Sequence, residues 1–256
     1  MYIEIRKQLQ VKIQHKKNET KPIIKPTLNK EKNNENFMED SQIKFYMNNA
    51  KRSLQEIDVD LEQLSILKFN TEQTRQDFIQ LQKKQQSAKY GDTIEEKIDK
   101  LDTDARIDKL KDKVEYDDNL LQFTQKQRDE LHKAYEKLKN SSTREDFNAH
   151  SRQYNKIRDS YISGKYDMRN NDFLRRIIKG RNLVRRKIEI WCVDSTDEYK
   201  PQIESHKRIL IQYDADIVRD LNAYTNLTIA PDVQKLLEEY DKELKQDIAN
   251  NYNFNK

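Results

Sequence analysis

Residues 41–88 read SQIKFYMNNAKRSLQEIDVDLEQLSILKFNTEQTRQDFIQLQKKQQSA. In this stretch Ile43, Met47, Ala50, Leu54, Ile57, Leu61 and Leu64 recur at alternating steps of four and three. After one extra three-step to Leu67, the series runs on through Thr71, Thr74, Phe78, Leu81, Gln85 and Ala88. Such spacing lays a narrow seam along one side of an α-helix, here starting near Ser41. Eleven of the fourteen seam positions are apolar, which sustains a coiled-coil-like pattern over the whole stretch. The slip between Leu64 and Leu67 should overwind any supercoil locally.

The pattern continues toward the C-terminus in further long segments. Gly91 interrupts it, and Thr93 followed by Glu96 predicts a capping box that opens a second helix. That helix extends to about Lys139, with Ile94, Ile98, Leu101 and Ala105 on its seam, then, after a slip in phase, Leu110, Val114, Asp117, Leu121, Thr124, Arg128, Leu131, Tyr135 and Leu138. Asn140–Thr143 forms the next break, and Ser142 with Glu145 predicts another capping box. A third helix carries Phe147, His150, Tyr154, Ile157 and Tyr161, with a kink expected at Ser163–Gly164. A basic helix follows, on which Leu174, Ile177, Arg181, Val184, Ile188 and Trp191 form the seam. Lys187–Val193 also alternates as a short strand would. Pro201 and Pro231 suit the first turns of two last helices.

Composition agrees with few, long elements. Only 34% of the 256 residues are hydrophobic and 37% are charged, so the chain fills seams between helices rather than a thick layered core. Three Gly and four Pro are too few for the many tight turns of a sheet fold. The expected fold class is therefore all-α: long coiled-coil-forming helices joined by short turns, as a helical hairpin or bundle, or as an extended rod. Three regions are expected: a basic, mostly extended arm over 1–39, a long helical coiled-coil region over 40–193, and an acidic two-helix region over 194–256. Residues 1–37 hold nine Lys/Arg against four Asp/Glu, with Pro22 and Pro26 bracketing Ile23 and Ile24. The N-terminus is too polar for a secretory signal, and Glu4 disfavours a mitochondrial presequence despite Arg6, Lys7 and Lys12. Cys192 is the single cysteine, which suits a reducing, cytoplasmic setting. No apolar run approaches the length of a transmembrane helix.

No catalytic, cofactor-binding or metal-ligating constellation is expected. His15, His132, His150 and His206 are scattered, and one Cys builds no zinc spacing. Three isolated glycines make no phosphate-cradling loop. The sharpest feature is electrostatic. Residues 169–187 hold eight Lys/Arg against Asp172 alone, and 194–256 hold eight Lys/Arg against thirteen Asp/Glu. Candidate partner-binding residues are Arg175, Arg176, Lys179, Arg181, Arg185, Arg186 and Lys187. They suit an acidic external surface or, equally, the chain's own acidic C-terminal region. Aromatic residues do not interleave with them as a single-strand nucleic-acid binder requires.

Leu174 and Lys179-Gly180 resemble part of an IQ motif, which implies an EF-hand partner of calmodulin or centrin type at 174–188. Arg175 stands where Gln is usual and Val184 where a basic residue is usual. In overall character the chain resembles the coiled-coil structural proteins of cilia and axonemes: long charged helices, a basic arm and no active site. That resemblance implies a non-enzymatic scaffold subunit of a large cytoskeletal assembly, with tubulin or other coiled-coil proteins as partners. Three long helices with a basic face also resemble BAR domains, which implies anionic membrane binding. An adaptor or tether in an organellar, for example mitochondrial, complex is a further alternative.

Overall fold

The computed structural model describes residues 38, 40–193, 197–224 and 226–254, apart from the Phe69 side chain. The basic arm expected over 1–39 falls outside these residues except for Met38. Residues Ser41–Lys256 form one compact unit. Its described residues are all-α, with no strand among them. They form α1 (Ser41–Ser87), α2 (Ile94–Lys139), α3 (Arg144–Val193), α4 (Lys200–Ala223) and α5 (Pro231–Ala249), with a short 3-10 turn at Asp197–Tyr199.

Local chemistry sets these boundaries. The Thr93 hydroxyl accepts from the Glu96 backbone N–H, and the Glu96 carboxylate accepts from the Thr93 N–H in return, so α2 opens on the expected capping box. The cap of α3 lies one residue later than expected. Thr143 Oγ1 accepts from the Asp146 N–H at 3.1 Å, while Ser142 donates to the Asp146 carboxylate. Pro201 and Pro231 sit in the first turns of α4 and α5, where a missing N–H has no cost.

Successive helices fold back on one another in hairpins. Between α1 and α2, Arg75 meets Asp118 at 2.8 Å and Arg128 meets Asp58 at 2.9 Å, an antiparallel register. The α1 seam is buried at Ile43, Ala50, Leu54 and Ile57. It then slips outward at the three-step, leaving Ile66 66% and Leu67 45% exposed, and returns inward at Thr71. The N-terminal half of α3 closes a three-helix bundle with α1 and α2. Tyr154 donates to the Ala50 carbonyl at 2.6 Å and Tyr161 to Asp60 at 2.5 Å. The Phe123 and Tyr161 rings stack at 6.1 Å.

The helix α3 runs 50 residues without a break, about 75 Å at 1.5 Å per residue. The helix continues through Ser163–Gly164, where a kink was expected, and at Gly164 a Cβ would overlap the Phe123 ring. The glycine thus lets α2 approach closely without interrupting the helix. The strand alternative at Lys187–Val193 is also overturned, since the helix continues to Val193. Phe147, Tyr154 and Tyr161 are buried toward α1 and α2, whereas Leu174, Ile178, Arg181 and Ile188 are buried against α4 and α5. At about 100° per residue, the second set lies roughly half a turn round the helix from the first. One helix therefore serves two bundles through opposite faces. Asn170, Asn171 and Asp172 are buried where the face changes.

The second bundle packs three small apolar clusters along α3. Leu174 meets Leu227 and Val233, Ile178 meets Ile217 and Tyr240, and Ile188 with Cys192 meets Leu210. Each fully buried aliphatic side chain contributes about 1.5–3 kcal/mol. Ile178, not Ile177, takes the innermost seam position. The single tryptophan, Trp191, packs edge-on against His206 at 4.6 Å.

Candidate functional site

The basic segment of α3 was the sequence's candidate surface, and its guanidinium and ammonium groups have well-defined positions. Arg181 is completely buried. Its Nε donates to Asp214 at 3.0 Å, Nη1 to Glu243 at 2.6 Å and Nη2 to Asp247 at 2.5 Å. It thus occupies a core seam position while using its planar fork on carboxylates from both α4 and α5. The Arg181 guanidinium also lies over the Tyr240 ring at 5.4 Å. Arg185 shares Asp247 at 3.1 Å and reaches Glu189 one turn on. Arg175 pairs with Asp232 at 2.6 Å, and Arg176 pairs with Asp172 at 2.9 Å.

Two lysines of the same segment point the other way. Lys179 lies 2.7 Å from both Asp108 and Asp112 of α2, and Lys187 lies 2.6 Å from Asp102. Six of the seven candidate residues are therefore ion-paired inside the chain, and four of those six bond at least one carboxylate of α4, α5 or α2 through a part-buried or buried contact. Arg186 is exposed. Of the two destinations left open by the sequence, the acidic C-terminal helices receive Arg175, Arg181 and Arg185. The α2 aspartates are a third destination the sequence reading missed. Its signal was present only in part: Asp108 and Asp112 stand one turn apart on α2, and Asp102 lies six residues earlier.

Burial and charge compete in this network. Burial is the largest influence on Asp214 and pushes its carboxyl up, despite Arg181 and the Tyr252 hydroxyl that donates to it at 2.9 Å. Burial likewise raises Asp172 against the pull of Arg176 and Arg175. For Arg181, burial pulls downward, but Asp214, Asp247 and Glu243 outweigh it and the net direction is up. For Asp232, burial pushes upward, but the Arg175 hydrogen bond prevails and the carboxyl lies below its usual range. A buried ion cluster of this kind adds little net stability over an apolar core, but it penalises any other register of the three helices.

A backbone clamp next to the network fixes the same register. Asn171 donates to the Thr228 carbonyl at 2.8 Å and accepts from the Ala230 N–H at 2.8 Å. Asp167 accepts from the Thr228 N–H at 3.0 Å. The α4–α5 connection is thereby held to α3 by two polar side chains one turn apart.

Between α2 and this part of α3 lies a groove of about 910 Å³, floored by Phe78, Leu101, Ala105, Ile177 and Leu183 and edged by Tyr213 and Leu236. Lys179, paired with Asp108 and Asp112, lines it. Its rim mixes Asp104, Asp108 and Glu239 with Lys109, Lys111 and Arg186, so it presents no single sign of charge. Cys192 is buried, and burial raises its thiol, which disfavours the reactive thiolate. Among the described residues no cluster of His, Cys, Asp and Glu is arranged to hold a metal ion. Among them, too, no helix is long and apolar enough to cross a membrane. Comparison with protein-family models, curated proteins and solved structures finds no match to this chain.

Proposed function

We propose that this chain is a non-enzymatic scaffold subunit of a large cytoskeletal assembly, acting through contacts along its helices. The ciliary axoneme or another microtubule-based structure, in the cytoplasm, is the setting its character suits best. The observation that carries the reading is α3 itself. A 50-residue helix shared by two bundles gives long, rigid edges to which other helices or filaments can attach. Its densest charges are engaged in holding those bundles in register. The basic segment is accordingly read as an internal fastening, with Arg169 and Arg186 its exposed, unpaired cations among the described residues. The membrane-binding and IQ-type readings would need the same cations to leave their carboxylates, so the ion pairs favour neither.

Cosedimentation with microtubules at rising salt tests the proposal. Binding at low salt that falls as ionic strength rises supports direct contact with acidic tubulin surfaces. No binding at low salt counts against it.

A further inference from the structure

One group of unpaired cations lies on the outer side of the α2–α3 pair. There Lys133 and Lys137 of α2 and Lys156 of α3 surround a groove of about 460 Å³, with Glu130 as the one carboxylate on its rim. All three lysines are exposed, and none is ion-paired among the described residues. The groove faces away from α1. Arg128, His132 and Asn155 on the opposite flanks of the same two helices are the residues that reach α1.

The floor of this groove is small and partly apolar, formed by Ala134 and Ile157. It also holds an anomaly. Gln127 is 7% exposed, and its side-chain carbonyl is buried with no hydrogen-bond partner. An unmet buried acceptor costs about 1–3 kcal/mol, so it marks a position where a donor is missing.

We propose that this groove docks an acidic amphipathic helix of a partner protein, which lies along α2 and α3 as a fourth helix of the first bundle. Ala134 admits the close approach of a helix backbone. Lys133, Lys137 and Lys156 flank the floor as the charged edge positions of a helical seam do, and they pair with carboxylates on both edges of the incoming helix. A polar side chain of the partner donates to the Gln127 carbonyl and relieves its isolation. The inference deepens the scaffold reading, since it rests on the chain acting through helix contacts. It is measured without microtubules, so the two can fail separately.

The probe is a synthetic helix of about three heptads with an Ala/Leu seam, one central Asn and Glu on both flanks. Its scrambled isomer is the control. Binding to the full chain is followed by fluorescence anisotropy. The set Lys133→Gln, Lys137→Gln and Lys156→Gln should weaken binding about tenfold or more. The set Lys51→Gln, Lys68→Gln and Lys235→Gln removes the same charge from exposed sites elsewhere and should change it less than about twofold. Gln127→Leu should weaken only the Asn-bearing peptide, and circular dichroism should report unchanged helix in every variant. No preference over the scrambled peptide overturns the proposal, as do equal losses from the two lysine sets. So does a site set that abolishes binding to phosphatidylserine vesicles or single-stranded DNA while leaving the peptide unaffected.

Discussion

Along Phe147–Tyr161, α3 buries three aromatic rings and leaves its neighbouring lysines in water; along Leu174–Cys192 it buries Arg181 and ties its cations to carboxylates. The first bundle closes with tyrosines whose hydroxyls reach acceptors on the facing helix, such as Ala50 and Asp60. The second closes with aliphatic clusters around a shared ion network. The difference teaches that cation density along a sequence is a poor guide to cation availability in the fold. Eight basic residues crowded into nineteen are largely neutralised by their own chain, whereas three spread over two helices have no ion pair among the described residues.

The largest expected effect breaks the second bundle. Arg181→Met leaves Asp214, Glu243 and Asp247 without their shared partner and should cost about 3–5 kcal/mol. Urea unfolding followed at Trp191, which lies within that bundle, measures it. The tyrosine-closed bundle should be affected far less. A loss under about 1 kcal/mol would mean that the network is solvated in solution.

Glycines separate the two regions at an intermediate scale. Gly164→Ala drives a methyl into the Phe123 ring, and overpacking of about 1–3 kcal/mol exceeds the gain of about 1 kcal/mol in helix propensity. Gly180→Ala meets the Tyr213 hydroxyl at 3.0 Å, the movable end of a side chain, and should be neutral or slightly stabilising. Thermal melting of both variants checks the contrast.

Titration sharpens the comparison further. Asp214 has a folded pKa raised by burial, so the folded state holds its proton more tightly than the unfolded chain does. Its contribution to stability falls as pH rises from the ordinary carboxylate value of about 4 through the raised one. Asp214→Asn should therefore abolish part of that decline, and the wild type should lose stability relative to the variant across that window. Asp58 in the first bundle is lowered: burial pushes it up, but Arg128 and His132 prevail. Its contribution is present above about pH 4 and lost as pH falls through its lowered value. Urea midpoints of Asp214→Asn and Asp58→Asn between pH 3 and 7 should slope in opposite directions relative to wild type. The smallest effect belongs to Lys133→Gln, Lys137→Gln and Lys156→Gln, each expected within about 0.5 kcal/mol of wild type, since among the described residues no carboxylate pairs with them.

Helix boundaries were legible because they rest on local chemistry. Thr93–Glu96, Pro201 and Pro231 act within one turn of themselves, and the α1 seam repeats often enough to be read without a partner. What could not be read was tertiary. Gly164 looks like a breaker in sequence and is a contact in space. The half-turn rotation of the buried face of α3 splits one helix into two apparent ones, because no single periodic stripe spans Tyr161 to Leu174. Arg181 sits on a seam and in a basic run at once, and only the positions of Asp214, Glu243 and Asp247 decide between core and surface. Lys133, Lys137 and Lys156 carry no local signal, since their grouping arises from pairing α2 with α3.

A double-mutant cycle on Arg181 and Asp247, read by urea unfolding at Trp191, tests most directly whether the basic segment is fastened within the chain. If it is, Arg181→Met combined with Asp247→Leu costs less than the sum of the two single changes by about 1–3 kcal/mol. Costs that add to within about 0.3 kcal/mol would show that the two side chains do not meet in solution, and would return the segment to the surface.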